Sequence, residues 1–238
     1  MKVSELFYIL SVGELSNLAI SNEGSGTIRE KDTGKLITYI NSGLDLLYKR
    51  FILSTDELIL ELHDWITSYN LRKEFAMSSG SKQKYKYILD LPEHPYMENV
   101  VQVVEVWDAL RHKLPLNDPG RHNSVYTPSP LVLQVPNPIN GQYLSVVYQA
   151  KAKPLKALGL SQDDLIAQEI PLPDFLISAL TNHVAFKVYN HMNGQDHSAK
   201  AQDYFALFEA DCTLIEEKDL VSQTQSNTTT KLEERGFV

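Results

Sequence analysis

Apolar residues recur at helical spacing near both ends of this chain and at strand spacing in its middle. At the start, Val3, Leu6, Phe7 and Leu10 share one helical face, Gly13 marks a stop, and Leu15, Leu18 and Ile20 follow. This pattern predicts a short amphipathic helix. Residues 21–34 carry three glycines among alternating charges and predict an exposed loop. A longer helix is predicted next, because Leu36, Ile40, Leu44, Leu47 and Phe51 form a single stripe that must pack on other helices. Residues 54–71 fit two patterns. Ser54 and Glu57 resemble a capping box ahead of a helical face of Leu58, Leu62, Trp65, Ile66 and Tyr69. Equally, Leu58, Leu60 and Leu62 alternate, His63-Asp64 can turn the chain, and Trp65, Thr67, Tyr69 and Leu71 alternate again. We take the hairpin.

Residues 86–91 and the β-branched run 100–107 predict strands. The strongest hairpin signal joins residues 131–135 to 142–149 through Asn140-Gly141, a pair suited to the positive φ angles of a tight turn. Pro115, Pro119, Pro128 and Pro130 punctuate a long loop before it. Helical spacing returns after the short 161–164 segment. Pro173 and Asp174 suit a first turn, and Ile177, Leu180, Val184 and Val188 form a stripe that Asn193-Gly194 ends. A last helix is predicted from about Ser198, with Ala201, Phe205, Phe208, Cys212 and Ile215 as its packing seam.

The expected fold is α+β: a helical bundle formed by the N- and C-terminal helices, with an inserted antiparallel β-rich domain and an extended C-terminal tail. The boundaries expected are 1–53 and 161–220 for the bundle, 54–160 for the insertion and 221–238 for the tail. The tail composition turns abruptly polar over 222–230 and ends on apolar Leu232, Phe237 and Val238. Such a tract adds little to a core and suits a tether that orders on a partner.

A formal charge of −8 disfavours broad attachment to nucleic acid or anionic membrane unless cations segregate, and no basic run is read here. Cys212 is the sole cysteine, so an intrachain disulfide framework and a cysteine zinc cluster are excluded. Residues 1–5 meet an acidic residue early, and no stretch of about 18 apolar residues occurs, so neither a signal peptide nor a membrane span is expected. Assembly in a cytoplasm is the expectation.

Catalytic signatures are sparse. The chain has no Gly-x-x-x-x-Gly-Lys phosphate loop, no Gly-x-Ser-x-Gly elbow and no His-Glu-x-x-His helix. None of the seven histidines pairs with another at three or four residues; His191 and His197 flank a predicted break but make a loose ligand pair, and no metal is assigned. Asp163-Asp164 and Glu216-Glu217 are adjacent in sequence, so their carboxylates diverge, and they are read as solvated surface. Cys212 sits on an apolar seam and reads as a small buried hydrophobe. The Arg111-His112-Lys113 cluster is read as a strand end or loop, with phosphate contact the less favoured alternative. No cofactor and no catalytic residue is expected.

Several stretches resemble the head-to-tail adaptor proteins of tailed bacteriophages. Residues 39–51 (Tyr-Ile-Asn-Ser-Gly-Leu-Asp-Leu-Leu-Tyr-Lys-Arg-Phe) are similar to the family's second helix. Residues 114–119, 124–130, 135–138 and 143–150 resemble its central strand region, and 169–173 and 232–238 resemble its third helix and C-terminal signature. The resemblance spans nearly the whole chain and favours a hairpin at 58–71. It implies a virion subunit at the head-tail junction and not an enzyme: a homo-oligomeric ring, usually of twelve copies, docked beneath the portal protein. Such a ring extends the channel for genomic DNA, without sequence-specific binding, and presents a platform to the next neck or tail protein. It further implies that the C-terminal extension contacts the portal, which makes Leu232, Arg235, Gly236, Phe237 and Val238 the interface candidates. Other neck or tail-completion proteins, and an enzyme whose site is assembled from scattered residues, are the alternative readings.

Overall fold

The computed structural model describes residues 1–16, 18, 28–192 and 194–221. The fold mixes helix with antiparallel sheet and is α+β. It divides into two compact units: a helical unit of Met1–Leu53 with the described chain from Ala152 onward, and a β unit of Ser54–Lys151.

In the helical unit, α1 (Val3–Val12) is followed by α2 (Glu30–Arg50), α3 (Gln162–Ala167), α4 (Ile177–Asn190) and α5 (Gln195–Glu217). The predicted loop at 21–34 is corrected at its C-terminal end, because Glu30 to Gly34 are the first turn of α2. Glu30 and Asp32 sit in that turn and Lys49 and Arg50 in the last, matching both ends of the helix dipole. Residues 162–164 are likewise helical, since the Ser161 side chain accepts the Asp164 N–H at 3.2 Å and caps α3. A 3-10 turn at Asp174–Leu176 leads into α4. The last helix begins at Gln195, earlier than its apolar stripe predicts.

One core joins these elements, drawing Leu6 and Leu10 from α1, Leu36, Ile40, Leu44 and Leu47 from α2, Leu180 and Val184 from α4, and Phe208 and Cys212 from α5. Gly43 lets α2 approach α4 closely: a Cβ there would lie 2.6 Å from Leu180 Cδ1 and 3.0 Å from His183 Cδ2. Asn41 of α2 clasps the returning chain, donating from Nδ2 to the Leu155 carbonyl and accepting the Leu155 N–H, both at 2.8 Å. The chain start is held as a short bridge, with the Val3 N–H on the Gln168 carbonyl at 3.0 Å and the Ile170 N–H on the Met1 carbonyl at 2.9 Å.

The β unit contains β1 (Thr55–Glu61), β2 (Ser68–Asn70), β3 (Ile88–Leu89), β4 (Val100–Asp108), β5 (Tyr126–Ser129), β6 (Val132–Gln134) and β7 (Tyr143–Ala150). They form a four-stranded sheet, β3-β1-β7-β4, and a three-stranded sheet, β2-β6-β5. Both predicted hairpins are overturned. Residues 58–71 do supply two strands, yet β1 pairs with β3 and β7 while β2 pairs with β6. Asn140-Gly141 does turn the chain, with Gly141 at φ +78°, but it delivers β7 to β1 and not to β6. The Gly141 N–H reaches the Leu62 carbonyl at 2.9 Å, and the Leu62 N–H reaches the Gln142 carbonyl at 2.7 Å. The strand predicted at 86–91 shortens to two residues.

Seven of the eight β7 residues are buried, as suits the middle of a sheet between β1 and β4. In β4 the buried residues Val100, Val103 and Val106 recur every third position because two register shifts interrupt the alternation. Tyrosines fill much of this core with their hydroxyls satisfied by backbone. Tyr69 accepts the His63 N–H at 2.9 Å, Tyr87 accepts the Asn70 N–H at 2.8 Å, and Tyr96 donates to the Leu71 carbonyl at 2.8 Å.

Candidate functional site

The interface candidates Leu232, Arg235, Gly236, Phe237 and Val238 lie outside the described residues, as do 21–27 of the glycine-rich segment and Asn193. The remaining candidates have structural roles. Asp164 takes the Ser161 hydroxyl at 2.6 Å in the α3 cap. Glu216 and Glu209 hold Arg50, whose Nε and Nη1 lie 2.7 Å from their respective carboxylates; hydrogen bonding to Arg50 keeps the Glu216 carboxyl below its ordinary range. His191 packs on Tyr39 and His197 on Tyr189, and no metal-ligand cluster occurs among the described residues.

Cys212 is buried, and desolvation raises its thiol to about 11, which leaves it protonated and a poor nucleophile. Arg111 occupies a tight turn at φ +64° in which Asp108 accepts the Leu110 and His112 N–H groups. Lys113 lies 2.5 Å from Glu105, so this cluster is internally compensated on its acidic side. A cleft of about 250 Å³ between the ends of α2 and α5 is lined by Arg50, Phe51, Ile52, Ile215 and Glu216, but its cation is already held by two carboxylates.

More telling are the outer faces of two helices. The sequence predicts α1 as amphipathic, and the face predicted to pack is the one buried. Its inner face buries Val3, Leu6, Phe7 and Leu10, while Tyr8, Ile9 and Val12, exposed by 59, 41 and 58%, stand on the outer face in one row with exposed Glu5. Three large apolar side chains left open on one short helix are unusual for a face that stays in water. On α5 the buried face is Ala201, Phe208, Cys212 and Ile215. Phe205, predicted in that seam, is substantially exposed beside Phe186 at a ring distance of 5.2 Å. The opposite face presents Leu207, Ala210 and Leu214 at i, i+3 and i+7, all exposed. The helical unit therefore exposes apolar residues on two distinct outer faces, one on α1 and one on α5.

The reading that no basic run interrupts the acidic background is corrected in the β unit. Arg72, Lys73, Lys82, Lys84 and Lys86 fall within fifteen residues, the last three alternating with Gln83, Tyr85 and Tyr87. That alternation was visible in the sequence.

No protein-family model matches the chain, and no curated protein matches it either. Among the described residues no helix is long and apolar enough to cross a membrane.

Proposed function

We propose that this chain is a structural subunit of a tailed-bacteriophage particle, a head-to-tail adaptor that assembles as a ring of about twelve copies beneath the portal. Its work on this reading is done by fitted surfaces and not by catalysis. The helical unit is the bundle, the β unit the insertion, and the tail with Leu232, Arg235, Gly236, Phe237 and Val238 the portal contact. Genomic DNA passes through the lumen, and the next neck or tail protein docks on the far side.

The observation that carries the assembly is the row of exposed apolar residues on the outer side of α1. Tyr8, Ile9 and Val12 are about half exposed, and completing their burial would contribute about 1 kcal/mol each. A two-fold dimer needs one self-complementary face, whereas a ring needs two different ones, because each subunit meets its neighbours head to tail. The faces of α1 and α5 meet that requirement, and we assign them to successive subunits.

The test is assembly by single-face variants. Val12→Asp leaves the α5 face intact and Leu214→Asp leaves the α1 face intact. Each alone should block ring formation in negative stain with purified portal, and sedimentation velocity of the two mixed should show pairs joined by the one intact contact. Rings from either variant, or a wild-type chain that ignores portal, would defeat the proposal.

A further inference from the structure

We propose that the β unit carries a binding patch for single-stranded nucleic acid centred on Trp65 and Tyr85. Trp65 is 55% exposed and Tyr85 42%. Their rings meet edge to face at 4.3 Å, and His63 stacks on Trp65 at 5.5 Å with an interplanar angle of 17°. Lys84 Nζ lies 5.0 Å from the Tyr85 ring centroid. Large aromatic rings left this open are costly to hydrate, and beside cations they suit a ligand with both π faces and negative charge.

The loop that presents Tyr85 is held firmly. Phe75 stacks on Tyr87 at 4.9 Å, the Tyr87 N–H donates to the Phe75 carbonyl at 3.1 Å, and the Met77 N–H donates to the Ile88 carbonyl at 3.0 Å, closing the base of the loop. Higher up, the Ser81 hydroxyl donates to the Glu74 carbonyl, Lys86 donates to the Ser79 carbonyl, and Gln83 donates to the Glu74 carboxylate at 3.2 Å. Binding would therefore require little ordering of this loop.

Charge makes the ligand class specific. Arg72, Lys73, Lys82 and Lys84 are all exposed, and none forms an ion pair among the described residues, in contrast to Lys49, Arg50 and Lys113. The carboxylates of the surrounding chain include Glu61, Asp64, Glu74, Asp90 and Glu98; of these, Glu74 accepts from Gln83, Glu98 accepts the Lys73 N–H at 2.8 Å, and Asp90 accepts the Ser78 and Tyr96 N–H groups, each at 2.8 Å. At a screening length of about 10 Å in 0.1 M salt, a phosphate here senses this patch more than the −8 of the whole chain. Lysines on phosphates with bases stacked on exposed rings is the way sequence-tolerant single-strand binders work. Duplex DNA keeps its base faces covered and could use only the lysines. An acidic peptide would have the same limitation.

The experiment uses the full chain with Trp107→Phe, so that Trp65 is the only indole. Titration with a ten-nucleotide oligothymidylate should quench its fluorescence. Three to four phosphate contacts predict a slope of log K against log salt of about −2 to −3, at about −0.7 per contact. Lys82→Glu with Lys84→Glu should weaken binding at least tenfold, and Trp65→Leu, followed by anisotropy of a labelled oligonucleotide, at least fivefold, with circular dichroism unchanged in both. Absence of binding at 50 mM salt, equal affinity for a duplex without quenching, or equal displacement by polyglutamate would overturn the inference.

Discussion

Lowering the pH from 7.5 to 5 should destabilise the helical unit through one side chain. His183 lies on α4 against Gly43 and the rings of Phe186 and Phe208, which are 5.9 and 5.4 Å away. Its Nε2 is 3.4 Å from the Ser42 hydroxyl, and its Nδ1 has no hydrogen-bond partner among the described residues. Burial, with a smaller contribution from Lys187, pushes the imidazole down to about 4 from the ordinary 6.5. Between those values the unfolded chain binds a proton that the folded chain refuses. Stability is thus complete above about pH 7, falls as pH drops through 6.5, and stops falling below about 4. At about 1.4 kcal/mol per pH unit, the full loss is about 3 kcal/mol, of which about 2 kcal/mol has occurred by pH 5.

Urea denaturation of the wild type and of His183→Leu at both pH values isolates this effect from other titrations. The wild-type midpoint should fall by about 1 M more than the variant's, for a slope of about 2 kcal/mol/M. Both tryptophans, Trp65 and Trp107, are in the β unit, so circular dichroism at 222 nm follows mainly the helices and indole fluorescence follows the sheets. Equal pH dependence in the two proteins, or an NMR titration of His183 centred near 6.5, would refute the reasoning.

Gly43→Ala should lose about 1–2 kcal/mol despite the gain in helix propensity, because its methyl overlaps Leu180 and His183; thermal melts at 222 nm measure this. Asn41→Ala should cost about 1–3 kcal/mol by stranding both polar groups of Leu155, and Asn41→Asp should restore only the accepting half. In the β unit, Ser145→Ala removes the hydroxyl that donates to the buried Glu57 carboxylate at 2.5 Å, and a loss of about 1–3 kcal/mol should be seen in the fluorescence transition and not at 222 nm. Truncation after Val221 should leave both transitions within about 0.5 kcal/mol of wild type while weakening capture by purified portal, since the polar 222–230 tract has little apolar area to bury.

Most long elements were legible in the chain, because an element's apolar face is written within its own residues, whereas 58–71 fitted two patterns and the short α3 and β5 carried no stripe of their own. The stripe from Leu36 to Leu47 marks α2, and the β-branched run beginning at Val100 marks β4. Likewise the outer residues of α1 and the lysines around Tyr85 were legible as letters. Partnership and exposure came from packing between segments distant in the chain. Leu58 sits opposite Val146, and Tyr69 opposite Leu133, pairings that local turn chemistry at His63-Asp64 or Asn140-Gly141 cannot encode. A turn only reverses the chain; which strand lies beside it depends on burial shared with distant segments. The same holds for the surfaces: Val12 and Leu10 are equally apolar, and only the packing of α1 on its unit leaves one exposed and buries the other.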